Sequence, residues 1–186
     1  MVYFANSSNG LAIARPIVEE VVGDMRWTFN WLGYSQVDQP GWSARRSGYL
    51  AETAGEYEEA IQHFRQAVAE RPDDRATVQR LGWLEELMAV AESPVTVPEE
   101  LLESYAGSYC PRRILFDEAG LRYQRVGRGE PRRLIPLSES VFALEGMVDF
   151  RIEVVTDADG KPTKLVGHYI GGSDETPRDP DERQPD

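Results

Sequence analysis

Gly48 and Gly82 stand 34 residues apart, and the residues around them repeat at that interval. A fixed period in this range marks a helical repeat array, whose units stack on one another and work by contact. Read from Gly41, the segment supplies Gly48, Gly55, Tyr57, Ala60, Phe64, Ala67 and Pro72, and Leu81 and Gly82 open a second copy. Small residues at Gly48, Gly55, Ala60 and Ala67 predict two helices in close approach, with Tyr57 and Phe64 filling the space between them.

Gly-Glu-Tyr-Glu-Glu-Ala-Ile-Gln-His-Phe-Arg-Gln-Ala at 55–67, followed by Arg-Pro-Asp-Asp at 71–74, resembles one tetratricopeptide repeat. A second repeat begins at Arg75 and supplies only its first helix, with Leu81-Gly82-Trp83-Leu84. The likeness spans 41–91 and departs from the pattern at Ala44, Ser47 and Ala51, where larger or more apolar residues are common. One and a half repeats cannot form the long concave groove of a peptide adaptor, so the resemblance implies a spacer.

Composition narrows the function classes. The chain has 186 residues, 41% of them hydrophobic, which allows one medium domain or two to three small modules. A formal net charge of −12 repels phosphate backbones and argues against a general nucleic-acid role. The single cysteine, Cys110, excludes an intrachain disulfide and a multi-cysteine metal site. No stretch approaches the ~20 apolar residues of a membrane span. No basic, then apolar, leader precedes the first turn, so the expectation is a soluble chain, cytoplasmic as given.

Val-Tyr-Phe-Ala at 2–5 is rich in strand formers, and Asn6–Gly10 is a turn cluster able to cap a helix. Leu11, Ile13, Ala14, Ile17, Val18, Val21 and Val22 then form one apolar face. A lone strand and helix cannot satisfy or bury themselves, so 1–23 reads as the end of something larger. Trp27, Phe29, Trp31, Leu32 and Tyr34 make 24–40 an aromatic connector. Pro94 and Pro98 mark a linker, and 92–104 is expected to hold a short acidic helix.

From Tyr105 the period changes from helical to two. Apolar alternation at 113–116, 121–126, 133–137, 141–144, 150–154 and 164–169 is punctuated by turns such as Asp117–Gly120 and Gly127-Arg128-Gly129. About six or seven strands in this span predict an antiparallel meander that curves into a partial barrel. Pro-rich, charged 173–186 is expected to be disordered. The expected fold class is therefore α+β: a strand–helix remnant, a tetratricopeptide-like hairpin plus one extra helix, then a β domain over 105–172.

Both ends resemble one family. Val2–Ala14, with Ala5-Asn6 where Thr-Asn is usual, is similar to the closing strand and helix of serine hydrolases of the penicillin-binding protein and class C β-lactamase type. Tyr105-Ala-Gly-Ser-Tyr109, Leu121-x-Tyr123, Phe142-x-Leu144-Glu145-Gly146, Asp149-Phe150-Arg151 and the Asp157–Gly160 hairpin before Leu165-Val166 resemble the lipocalin-like β domain appended to many of those enzymes. The resemblance implies a parent hydrolase in the periplasm or outside the cell if that parent carries a signal peptide.

The chemistry of that family is missing from this chain. Acyl transfer there needs Ser-x-x-Lys, which sets the amine one helical turn from the hydroxyl it deprotonates. The only lysines are Lys161 and Lys164, and neither Ser-x-x-Lys, Tyr-x-Asn, Tyr-x-Ser, Lys-Thr-Gly nor His-x-Gly occurs. His63, His168 and Cys110 read as ordinary structural residues, and Asp157–Gly160 as a hairpin turn with too few ligands for a calcium loop. No catalytic residue, metal or cofactor is expected.

One charge anomaly remains. Between 112 and 133 stand seven arginines against three acids. Arg112, Arg113, Arg122, Arg125, Arg132 and Arg133 are candidates for converging on a carboxylate such as a peptide terminus, against a plain solvated sheet face. The leading expectation is the non-catalytic C-terminal accessory region of a β-lactamase-like serine hydrolase. Its partner would be a hydrolase domain, in cis or trans, or a protein or peptide. The alternatives are a stand-alone adaptor for a peptide or small ligand, and an enzyme built on His168 or tyrosines.

Overall fold

The computed structural model describes residues 40–180. The strand expected at 2–5, the helix at 11–22, the connector through 39 and the last six residues of the tail lie outside the described residues. The chain divides into two compact units between Asp74 and Arg75.

In the first unit, α1 (Trp42–Ala54) and α2 (Tyr57–Glu70) form a hairpin. Gly55 ends α1 with φ 80°, a left-handed turn that glycine makes without strain, and Glu56 N–H returns to Ala51 O at 2.9 Å. The helices run antiparallel. Gly41 N–H donates to Glu70 Oε2 at 2.7 Å at one end, and Gly48 lies under Phe64 nearer the turn. Phe64 is fully buried and meets Tyr49 edge-on at 5.3 Å between ring centroids. Ala60 and Ala67 are buried and Tyr57 is half-buried, while Gly55 and Pro72 are exposed turn positions. Arg45 closes the open end on Asp74 at 2.9 Å.

The second unit holds α3 (Arg75–Glu92), α4 (Glu99–Tyr105) and eight strands: β1 (Gly107–Tyr109), β2 (Arg112–Asp117), β3 (Gly120–Arg125), β4 (Arg128–Pro136), β5 (Val141–Leu144), β6 (Met147–Thr156), β7 (Pro162–Tyr169) and β8 (Gly172–Pro177). The strands pair antiparallel in sequence order. Beyond β8, Asp179 N–H donates to Ser108 O at 2.9 Å and the Asp179 carboxylate accepts from Ser108 Oγ and Cys110 N–H. These bonds bring the last segment onto the first strand, so the sheet is a nearly closed barrel-like meander.

Alternation decides what lies inside. Tyr109, Phe142, Ile152 and Leu165 have no exposed surface, and Ile114, Leu121, Leu134 and Phe150 join them. Tyr105 of α4 enters from one end and stacks edge-on against Phe142 at 6.0 Å, and its backbone oxygen accepts from Tyr109 Oη at 3.0 Å. The interior is a buried core of mixed aromatic and aliphatic side chains.

Helix α3 covers the outer face of β6. Arg151 points outward, between inward-facing Phe150 and Ile152, yet is only 2% exposed. Its guanidinium lies 4.8 Å from the centroid of the Trp83 ring and donates to Trp83 O at 2.8 Å. Burial, opposed by the charges of Glu86 and Asp149, lowers its pKa from the usual arginine value. Gln79 of α3 brackets the β7–β8 turn, donating to Tyr169 O at 3.2 Å and accepting from Gly171 N–H at 3.0 Å.

Three expectations change. The strands number eight among the described residues, because short β1 and polar β8 carry no apolar alternation to reveal them. The tail expected to be disordered from 173 instead forms β8 through Pro177, held by pairing with β7. The helix expected to extend the repeat belongs to the β-domain unit. Gly82 and Gly48 also differ in their surroundings: a Cβ at Gly82 meets nothing within 4 Å among the described residues, whereas one at Gly48 would stand 2.7 Å from the Phe64 ring.

The two glycines, alike in the repeat, therefore predict opposite results. Gly48→Val should cost about 1–3 kcal/mol by overpacking a ring that cannot withdraw. Gly82→Ala should add roughly 0.5–1 kcal/mol, the helix-propensity difference at an open site. Urea unfolding of both variants checks this; equal effects would mean the two positions are equivalent.

Candidate functional site

The strand register sorts the seven arginines onto two faces. Arg112 stands opposite Arg125, and Arg125 opposite Arg128, so three arginines form one row across β2, β3 and β4. Arg132 stands opposite Tyr123 and shares their face, which is the inner one. Arg113, opposite Gln124, and the opposed pair Arg122 and Arg133 lie on the outer face. The six expected ligand-binding arginines thus do not converge on one point. Period-two alternation separates Arg122 from Arg125, and Arg132 from Arg133.

Arg112 is structural. It is 2% exposed and donates to Tyr169 Oη at 2.9 Å, to Asp174 Oδ1 at 2.5 Å and to Thr176 Oγ1. Burial, the largest influence, would lower its pKa, but hydrogen bonds with Asp174 and Tyr123 and the charges of Asp174 and Tyr169 leave it raised. Space for this ion pair comes from Gly167, where an added Cβ would lie 2.5 Å from Arg112 Nη2 and 2.6 Å from Asp174 Oδ1. On the outer face, Arg122 pairs with Asp117.

Arg125, Arg128 and Arg132 are exposed, and no ion pair neutralises them among the described residues. They ride on the β3–β4 hairpin. Its β4 arm pairs with β5 only through Leu134–Pro136, so Arg128–Arg132 has β3 on one side and no strand on the other among the described residues. Val126, at the hairpin tip between Arg125 and Arg128, is 57% exposed. Like charges directly opposed in an antiparallel pair are destabilising, where favourable pairs give roughly 0.2–1 kcal/mol. Such an arrangement is suited to holding an anion by guanidinium forks.

The remaining candidates are quiet. His168 Nε2 lies 2.8 Å from Glu153 Oε2 on the outer face, and His63 lies 3.5 Å from Glu59. Cys110 is exposed. At Asp157–Gly160 the Asp157 carboxylate accepts from Asp159 N–H and Lys161 N–H, and Gly160 has φ 79°, which makes it a hairpin turn. No group of His, Cys, Asp and Glu able to hold a metal occurs among the described residues, and no helix there is long and apolar enough to cross a membrane.

Sequence reading singled out the basic island but missed Arg128 and Val126 as site residues, and missed Asp174 as the partner of Arg112. The Gly127 turn was the available signal for the first two. Nothing in the sequence announced the third, because Asp174 lies in a polar stretch.

Two stability measurements test this geometry. Arg125→Glu places an anion opposite both Arg112 and Arg128 and should stabilise the fold by about 0.5–1 kcal/mol at low salt, fading as salt is added. Loss of stability would show that Arg125 already has a favourable partner. Gly167→Ala should cost roughly 1–3 kcal/mol by wedging the Arg112–Asp174 pair apart; an unchanged unfolding midpoint would contradict the packing described. No family model, curated protein or solved structure matches this chain.

Proposed function

We propose that this chain is the non-catalytic C-terminal accessory region of a β-lactamase-like serine hydrolase. In this reading the α1–α2 hairpin is a tetratricopeptide-like spacer, and the β domain is a lipocalin-like interaction or regulatory module. The observation that carries it is the filled interior of the barrel-like sheet, where Tyr109, Phe142, Ile152 and Leu165 are wholly buried. With these side chains turned into its inside, the β domain is read as working through its exterior, by touching another protein. The resemblance of 105–109, 142–146 and 149–151 to that family's appended β domain supports this reading, and the chain lacks the Ser-x-x-Lys that the chemistry requires. The partner is then a hydrolase domain in cis or trans.

A second reading, a stand-alone adaptor for a peptide or small ligand, draws support from the unneutralised arginines of the β3–β4 hairpin. A container for an apolar ligand is disfavoured by the same filled interior.

Purified chain assayed with a chromogenic β-lactam and a nitrophenyl ester should show no turnover above buffer. Turnover would overturn the accessory reading. The coding sequence upstream should carry Ser-x-x-Lys and Tyr-x-Asn in frame; an in-frame stop there would favour the adaptor.

A further inference from the structure

We infer that the β3–β4 hairpin, with Arg125, Arg128 and Arg132 on its inner face and Val126 exposed in its turn, docks an acidic segment of a protein partner. The inference rests on the reading of this chain as a contact module and names the partner's chemistry.

Three observations converge. The row Arg112–Arg125–Arg128 opposes like charges across three strands, and among the described residues only Arg112 has a carboxylate of its own, Asp174. The acid nearest in sequence, Glu130, forms no ion pair with Arg125 or Arg128 among the described residues. The hairpin also leaves the barrel at Arg133, so its face is open to a ligand.

Val126 decides the class of ligand. It is 57% exposed and sits between Arg125 and Arg128. A bare oxyanion has no use for it, whereas a peptide with carboxylates flanking an apolar side chain matches both features. A long polyanion such as a nucleic acid would leave the small basic face and meet the negative remainder of the chain. Recognition falls to side chains, because Pro131 removes an N–H from the free edge of β4 and spoils it for strand addition. Glu130 lies between Arg128 and Arg132 on the same strand and favours a partner whose carboxylates reach Arg125 and Arg128 at the tip.

Fluorescence anisotropy with a labelled peptide of alternating glutamate and valine tests this on the full chain. Saturable binding is expected, weakening as salt rises and falling about tenfold or more in R125Q/R128Q/R132Q. Arg113→Gln makes the same kind of charge change on the outer face and should bind as the parent does. If the triple variant fails to melt cooperatively by circular dichroism, Arg125→Gln alone carries the same expectation in lesser degree. The inference is overturned by no binding, by equal binding of the glutamine–valine peptide, or by unchanged affinity in the arginine variants. It is also overturned if inorganic phosphate displaces the peptide at similar concentration, or if phosphatidylserine vesicles bind and the peptide does not. Turnover of an ester by the chain would defeat the accessory reading and leave this face untouched; loss of peptide binding without turnover would defeat this face alone.

Discussion

Closure of the sheet depends on one buried cation. Arg112 begins β2, and its guanidinium reaches Tyr169 at the end of β7 and Asp174 and Thr176 in β8. It thus ties the early strands to the last two across the interior. A guanidinium buried this deeply is costly unless its donors are used, and here three side chains take them. Gly167 is the small residue that makes the arrangement possible, because any side chain there would occupy the place of the ion pair. The Asp179 bonds to Ser108 and Cys110 then bring the chain's end onto β1.

Arg151 does for the outer face what Arg112 does within. It replaces an apolar helix–sheet contact with carbonyl bonds and a ring contact to Trp83, and so fixes α3 over β6. Both cations lie in strands whose neighbours are apolar, and in both cases a distant segment supplies the partner. Arg125, Arg128 and Arg132 belong to the same basic island as Arg112 but have no such segment among the described residues. The difference between a structural arginine and a candidate contact residue is therefore one of position in the sheet. The row is buried at its Arg112 end and open at its hairpin end.

The hairpin of α1 and α2 was legible because it is local. Gly48, Ala60, Phe64 and Ala67 are spaced for two close helices, and Gly55 marks the turn. The middle strands were legible for a related reason: alternation at 113–116, 121–125 and 150–154 matches one buried face. Strand β8 was not, since Gly-Ser-Asp-Glu-Thr-Pro is held by its neighbour's backbone and by Arg112, and neither shows in its own composition. The arginine site was legible as an excess of charge and illegible as geometry. Which guanidinium meets Asp174, and which meets none, follows from register.

The sequence by itself determined the change from helical to two-residue period near Tyr105, the helix pair before it, the turns between most strands and the absence of Ser-x-x-Lys. Each of these is set by residues close together in the chain. Only the tertiary structure decided that Arg75–Glu92 joins the β domain, that an eighth strand extends the sheet, and that seven neighbouring arginines divide between two faces. Those outcomes depend on pairing and burial between segments far apart in sequence, where the partner, and not the local composition, sets the free energy.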